Sequence, residues 1–324
     1  MSLIETGVRD VRVRGGARID ADDPYWSRRV ARSMGSRAEI LVGDGPDGVL
    51  DWALAELERL EQCWSRFRSD SELAHVNANT GAWTDVSAPM LLALTCAADL
   101  HWASDGRFDP TILAALERTG YDRTFQLVKP DSPFAVARPA EAAPGFAPVD
   151  IDEDRSRVRL PRGSPIDLGG VGKGLAADLV ARGLIDRGAR TALVGMGGDL
   201  RTRGEAPNNG CWDIPVLDPF DETRVAFRFP LVDGAIVSST TRIRSWTRGR
   251  SRYHHLVDPA SGDSARTGVV AVVAAAPDAW WAEGIAKSII IAGAHAGADL
   301  AERAQVRAWI FLDDGQILER GTSA

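Results

Sequence analysis

The sequence predicts an α+β fold built as two mixed α/β lobes. Two observations carry this. Helical and strand-like segments follow one another without strict βαβ alternation, which argues against a doubly wound parallel sheet. A stretch rich in Pro and Ala, residues 129–148, interrupts the pattern and is read as the lobe boundary.

Residues 1–24 are polar, Arg-rich and Gly-containing, and are read as a loosely ordered tail. The globular domain runs over 25–320. "SRAEILV" (36–42) reads as a strand. Residues 46–63 place Leu50, Ala53, Leu54, Leu57, Leu60 and Cys63 at helical spacing. Residues 87–106 open with a capping Ser and run helically to a Gly stop. "PTILAALERTG" (110–120) is a short helix from Pro to Gly. Residues 149–160 read as strand, turn, strand, and 174–188 as a helix ending at Gly. Residues 191–204 form a buried strand entering a Gly-rich turn. Residues 268–277 are a buried strand, 279–293 a helix, and 306–318 a hairpin with an Asp-Gly turn.

Composition narrows the function. The chain has 324 residues, 44% of them hydrophobic, and a net charge of −7, which argues against a general nucleic-acid or anionic-membrane binder. It leaves room for one local basic site that takes a phosphate. No apolar run approaches the roughly 18 residues that a membrane span requires. The N-terminus lacks the apolar core of a signal peptide. Three scattered cysteines without CxxC spacing read as thiols of a reducing compartment, so the expected location is cytoplasmic.

The strongest chemical signal is "IDLGGVGKGLAAD" (166–178). A carboxylate closes a strand, four glycines follow within six residues, Lys173 sits among them, and a helix begins. Glycines allow close backbone approach, a helix start offers free N–H groups, and the lysine adds charge; the combination suits a phosphate or pyrophosphate. A tight turn with a surface lysine would need fewer of these residues. The P-loop pattern fails, because Gly172-Lys173 is followed by Gly174 and Asp167 stands where the first glycine belongs. GxGxxG fails as well. "GMGGDLRTRG" (195–204) is a second Gly-rich strand exit. "GRFDPTI" (106–112) places Asp109 between an aromatic residue and a proline, which alone would read as a helix cap.

Taken in order, these stretches resemble the ApbE-type FAD:protein FMN transferases. The resemblance rests on Met34-Gly35-Ser36, "SRFRSDSELAHVN" (65–77), "FDPT" (108–111), the 166–178 stretch, 197–204, "SSTT" (238–241), "HLVDPASG" (255–262) and "AEGIAKS" (282–288), and covers roughly residues 32–315. It implies a flavin-nucleotide cleft between the two lobes. It also implies a Mg²⁺-dependent enzyme that splits FAD, releases AMP, and joins FMN to a Thr or Ser hydroxyl of a target flavoprotein. By the same resemblance, Met34, Trp83, Arg107, Phe108, Asp109, Asp167, Lys173 and Val257 contact the flavin nucleotide. Lys173 offsets pyrophosphate charge, and His255 is the general base or proton shuttle. Its neighbour His254 is read as loop packing.

One departure from the family pattern concerns the metal. The late helix of the family supplies Asp and, four residues on, Thr; the third ligand is a backbone carbonyl, here that of Gly170. This chain has Glu283 and Lys287 at the two helix positions. A carboxylate can bind Mg²⁺, whereas an ammonium has no lone pair to give. Three arrangements are open. Lys287 pairs with Glu283 and no metal site exists; or Lys287 replaces the metal as a fixed charge; or Mg²⁺ sits in a rearranged site with Glu283 and Asp199 or Asp167. The first would suit a non-catalytic FAD-binding or carrier protein. An FAD pyrophosphatase would use the same site without an acceptor.

Overall fold

The strands of the main sheet lie side by side in chain order. In the computed structural model, which describes residues 12–13, 25–136, 138–147, 149–207 and 210–321, this sheet has eight strands and every neighbouring pair is antiparallel. They are β1 (Trp26–Ser33), β2 (Ser36–Gly43), β3 (Thr191–Met196), β4 (Asp199–Gly204), β5 (Gly234–Thr240), β6 (Val269–Ala276), β7 (Arg307–Leu312) and β8 (Ile317–Arg320). The fold is therefore mixed α/β with an antiparallel sheet, as the absence of βαβ alternation predicted.

Both faces of the sheet are covered, which explains why its central strands read as continuous apolar runs. Side chains alternate along a strand. In β6, Val272, Ala274 and Ala276 join the core under the helices. Ala271, Val273 and Ala275 face a second core built with Trp212, Ile214, Val216, Phe229 and Leu231. The latter five come from a hairpin, Trp212–Leu217 and Val225–Leu231, inserted between β4 and β5. Arg12–Val13 pair with that hairpin; the other residues of the expected tail lie outside the described residues.

The helices arrive as insertions. Between β2 and β3 the chain makes α1 (Val49–Trp64), α2 (Glu72–Ala78), α3 (Ala88–Ala103), α4 (Leu113–Arg118) and α5 (Gly172–Asp186). After β6 come α6 (Ala279–Ala292) and α7 (Ala294–Arg303). The expected helix at 110–120 opens with a 3₁₀ turn, Pro110–Ile112, capped by Asp109. The helix expected from 174 starts at Gly172, so Lys173 lies in its first turn. A second insertion, between β5 and β6, carries the hairpin Ser245–Arg248 and Ser251–His254. Of the Pro/Ala-rich segment, Asp131–Ser132 pair with that hairpin, and the Ala143 N–H donates to the Pro259 carbonyl at 2.7 Å. Among the described residues no helix is long and apolar enough to cross a membrane.

α5 packs on β3 and β4, α6 on β5 and β6, and the two helices pack on each other. Gly174 permits this: a Cβ there would lie 2.5 Å from the Ala279 carbonyl oxygen. Their contact is held by reciprocal capping. Asp178 of α5 accepts the Ala279 and Trp280 N–H groups at the start of α6, at 3.0 and 2.9 Å, and pairs with buried Arg201 at 3.0 Å. Glu283 of α6 accepts the Gly174 N–H of α5 at 2.8 Å. Carboxylates at helix N-termini are favoured by the dipole and by the unsatisfied N–H groups. Removing the buried carboxylate with Asp178→Ala is predicted to destabilise the protein by about 3–5 kcal/mol in urea denaturation, since it leaves Arg201 and two amides without it; a loss below about 1 kcal/mol would show that this cap does not hold α6.

Candidate active site

Residues distant in the chain line one cavity of about 300 Å³. They come from the β1–β2 turn, the end of α1, residues 107–125, the Gly-rich entry to α5, residues 244–257 and α6. Of the residues expected at the site, Met34, Arg107, Phe108, Asp109, Asp167, Gly170, Lys173, His255, Val257 and Lys287 line it. Glu283 stands just behind, bonded to both lysines. Trp83 does not line the cavity. It sits exposed beside a small sheet, with the guanidinium groups of Arg157 and Arg159 over its ring at 4.5 and 4.9 Å. The hydroxyls of Thr240 and Thr241 in the Ser/Thr cluster bond the Val270 carbonyl and also lie outside the cavity.

Each wall has a local cause. Met34 and Gly35 form a two-residue hairpin turn, both with positive φ (51° and 67°). Such a conformation is costly for methionine; Glu61 holds it by accepting the Met34 N–H at 2.8 Å and the Ser33 hydroxyl at 3.1 Å. The segment before the glycines, expected as a strand, is extended chain without a sheet partner, and Asn77 clamps it by donating to the Ile166 carbonyl at 2.9 Å and accepting its N–H at 2.8 Å. The Asp167 N–H donates to the Pro110 carbonyl, which ties the Gly-rich entry to the 3₁₀ turn. Asp109 accepts both the N–H and the hydroxyl of Thr111. At Gly170 a Cβ would come within 2.8 Å of the Phe108 ring. The glycines at 170 and 174 thus answer to protein neighbours, an aromatic ring and a helix, and not only to the ligand that the sequence implied.

Three residues not expected from the sequence shape the site. Buried Arg66 lies against the rings of Phe67 and Tyr121 at 4.1 and 4.7 Å, donates to the Tyr121 carbonyl at 2.8 Å, and stands 3.6 Å from Asp167. Arg244 donates to the Ser36 hydroxyl at 3.0 Å. Glu61 holds the Met34 turn. Arg66 falls within the stretch 65–77 and could have been flagged there; Arg244 and Glu61 carry no local signal.

The cavity is basic within an acidic protein. Arg66, Arg68, Arg107, Lys173, Arg244 and Lys287 line it, against the carboxylates of Glu61, Asp109 and Asp167. That favours an anionic ligand. At its base lies a buried four-charge cluster. Lys173 bonds Asp199 and, at 2.5 Å, Glu283 Oε1; Lys287 bonds the same Oε1 at 2.8 Å. Burial pulls the Lys173 ammonium down, but Asp199 and Glu283 outweigh it and leave it raised. Lys287 is lowered, by burial first. Glu283 is lowered, its burial outweighed by the two ammonium groups.

A divalent cation does not fit this arrangement. Glu283 Oε1 accepts from two ammonium groups and Oε2 from the Gly174 N–H, while Asp199 is engaged by Lys173. Among the described residues no group of three or more His, Cys, Asp or Glu is placed to hold a metal. The Gly170 carbonyl alone is not a site.

The paired histidines divide their roles. His254 accepts the Leu256 N–H through Nδ1 at 3.3 Å and donates from Nε2 to the Ala265 carbonyl at 2.9 Å, so it fixes the loop. Burial lowers its pKa to about 4. His255 lines the cavity, and its buried Nδ1 has no partner among the described residues. Burial, then Arg244, His254 and the two lysines, hold its pKa well below the ordinary value. The ring is therefore neutral near pH 7.

The model of the ApbE family matches residues 34–310, and the chain belongs to that family. The FAD:protein FMN transferase of Haemophilus influenzae is 24% identical over 268 residues, covering 80% of this chain and 77% of its own. That of Treponema pallidum is 27% identical over 299 residues, covering 80% and 78%. The crystal structure of the ApbE protein from Thermotoga maritima matches with a TM-score of 0.78 at 24% identity, over 91% of this chain and 97% of the other, and shares its fold.

His254 is neutral in the fold and would be protonated below about pH 6.5 when unfolded. Its contribution to stability is thus present above pH 6.5 and lost as pH falls towards 4. We expect the melting temperature of the wild type to drop more steeply between pH 7 and pH 4.5 than that of His254→Gln; equal slopes would contradict this assignment.

Proposed function

We propose that the chain is an FAD:protein FMN transferase whose active site is the basic cavity. The observation that carries this reading is the convergence of Met34, Arg107, Phe108, Asp109, Asp167, Lys173, His255 and Val257, from separate parts of the chain, on one cavity. Family membership and the names of the relatives support it.

FAD is the substrate. Its flavin end suits the apolar walls made by Met34, Phe108, Tyr121, Phe125 and Val257, where the thioether and aromatic rings match a flat ring system. Its pyrophosphate suits the end with Lys173 and the start of α5. A Thr or Ser hydroxyl of the acceptor flavoprotein attacks the phosphorus of the FMN half. The new P–O ester bond forms as the bond from that phosphorus to the bridging oxygen breaks. The electron pair of the broken bond leaves on the phosphate of AMP. The hydroxyl proton passes to neutral His255, whose buried Nδ1 has no partner among the described residues. Lys173, held by Asp199 and Glu283, offsets the charge that develops on the pyrophosphate. We assign this activity to residues 25–320, with the 129–148 segment at the lobe boundary and packed beside the His255 loop. A cytoplasmic setting is supported by Cys63, Cys96 and Cys211, all free thiols.

The test is incubation with FAD and a lysate of the cells that make the chain. Transfer gives a flavin-fluorescent protein band that survives denaturing electrophoresis, with AMP released in step. Free FMN and AMP without a band would identify a pyrophosphatase, and intact bound FAD would identify a carrier. His255→Ala is expected to lower transfer by about 10²–10⁴-fold while FAD still binds; a variant with full activity would remove His255 from the mechanism. Gly170→Ala, which forces its Cβ against Phe108, is expected to weaken FAD binding at least severalfold in a fluorescence titration; unchanged affinity would place Phe108 and the Gly170 turn outside the FAD site.

A further inference from the structure

We infer that the ammonium of Lys287 is the built-in cation of this site, facing the FAD pyrophosphate beside Lys173, and that FAD binding and transfer proceed without a divalent cation. This rests on the transferase reading and deepens it.

The charge count in the buried cluster is the first argument. Counted as ionised groups, Asp199 and Glu283 bring two negative charges and Lys173 and Lys287 two positive ones, all within one set of bonds; burial pushes the Asp199 carboxyl up, and Lys173 opposes that shift. Without Lys287 the cluster would be short of one positive charge and would attract a cation. With it the cluster is neutral, and an added dication would leave buried charge uncompensated, which burial strongly disfavours.

Position is the second argument. Lys287 is on α6, one turn beyond Glu283, and lines the cavity together with Lys173 and His255. It is only 12% exposed, so solvent screens it weakly. Its bonds to the carboxylate and carbonyl of Glu283, at 2.8 and 3.5 Å, fix the ammonium in place. Among the described residues these are its hydrogen-bond acceptors, which leaves one of its three protons for a ligand.

Chemistry is the third. As the acceptor oxygen bonds to the FMN phosphorus and the bridging P–O bond breaks, negative charge gathers on the AMP phosphate. Lys287 stabilises that charge by a hydrogen bond and keeps its proton. A preorganised ammonium at this position does what an electrophilic clamp does in other phosphoryl transfers.

The experiment combines FAD titration by flavin fluorescence with transfer assays, each in EDTA and in Mg²⁺, on wild type, Lys287→Met, Lys287→Arg and Lys287→Thr. The wild type is expected to bind and transfer equally in both media, within about twofold. Lys287→Met should lose about 10²–10³-fold in transfer rate, and Lys287→Arg should recover at least about tenfold of that. Lys287→Thr should be weak in EDTA and regain activity in Mg²⁺, a switch of metal dependence that a purely structural lysine would not produce. Wild-type transfer that EDTA abolishes and Mg²⁺ restores would overturn the inference, as would Lys287→Met at wild-type rate. Should FAD bind but no FMN move in any condition, the transferase reading fails, and the titration alone judges Lys287. Affinity unchanged by EDTA and weakened at least about tenfold in Lys287→Met supports it; Mg²⁺-dependent wild-type binding overturns it. If Lys287→Met does not fold, by circular dichroism, the wild type and Lys287→Thr decide.

Discussion

The contact between α5 and α6 is the constraint on which the site depends. Two helix N-termini meet closely enough that only glycine fits at position 174. Each helix then lends the other a carboxylate, Asp178 in one direction and Glu283 in the other. Buried carboxylates need compensation, and Arg201, Lys173 and Lys287 provide it. The same bonds that join the helices therefore set two ammonium groups at the base of the cavity. Packing and function share one set of atoms here, so few substitutions will touch one without the other.

The remaining walls follow the same economy. The sheet presents the Met34-Gly35 turn at one edge of the cavity, and Glu61 at the end of α1 locks it. The two long insertions, after β2 and after β5, supply the Gly-rich entry and the His255 loop. Arg66 ties the Tyr121 region to the Gly-rich entry within the first insertion, and Arg244 reaches from the second insertion to Ser36 of the sheet. The outcome is a cavity whose lining carries more cationic than anionic side chains, in a chain of net charge −7. A local field of this kind arises from where residues converge, and overall composition does not reveal it.

The pair Glu283 and Lys287 is where this chain departs from the pattern it otherwise resembles. Where the resemblance implies an Asp and a Thr as oxygen donors, Glu283 and Lys287 close an ion cluster with Lys173 and Asp199. The family's architecture survives intact around it. Two residues one turn apart on one helical face, Glu283 and Lys287, fix this charge arrangement without altering the helix that carries them.

The sequence by itself determined a good deal. Hydrophobic periodicity located the principal helices and the strands at 36–42, 191–204, 268–277 and 306–318, because local spacing reports which face is buried. Motif order located most of the cavity residues, since the glycines, Asp109, Lys173 and His255 sit in short stretches with their own pattern. Local pattern could not place Trp83, whose ring carries two arginines and lies outside the cavity, nor Arg244 and Glu61, which act only across the fold. The strand Gly234–Thr240 also went unread, because a covered strand loses the alternation that marks it. The tertiary structure alone decided the charge balance of the site. Which ammonium meets which carboxylate depends on contacts 26 and 110 residues apart in the chain, and electrostatic neutrality in a buried cluster is a property of distances that no local stretch of sequence contains.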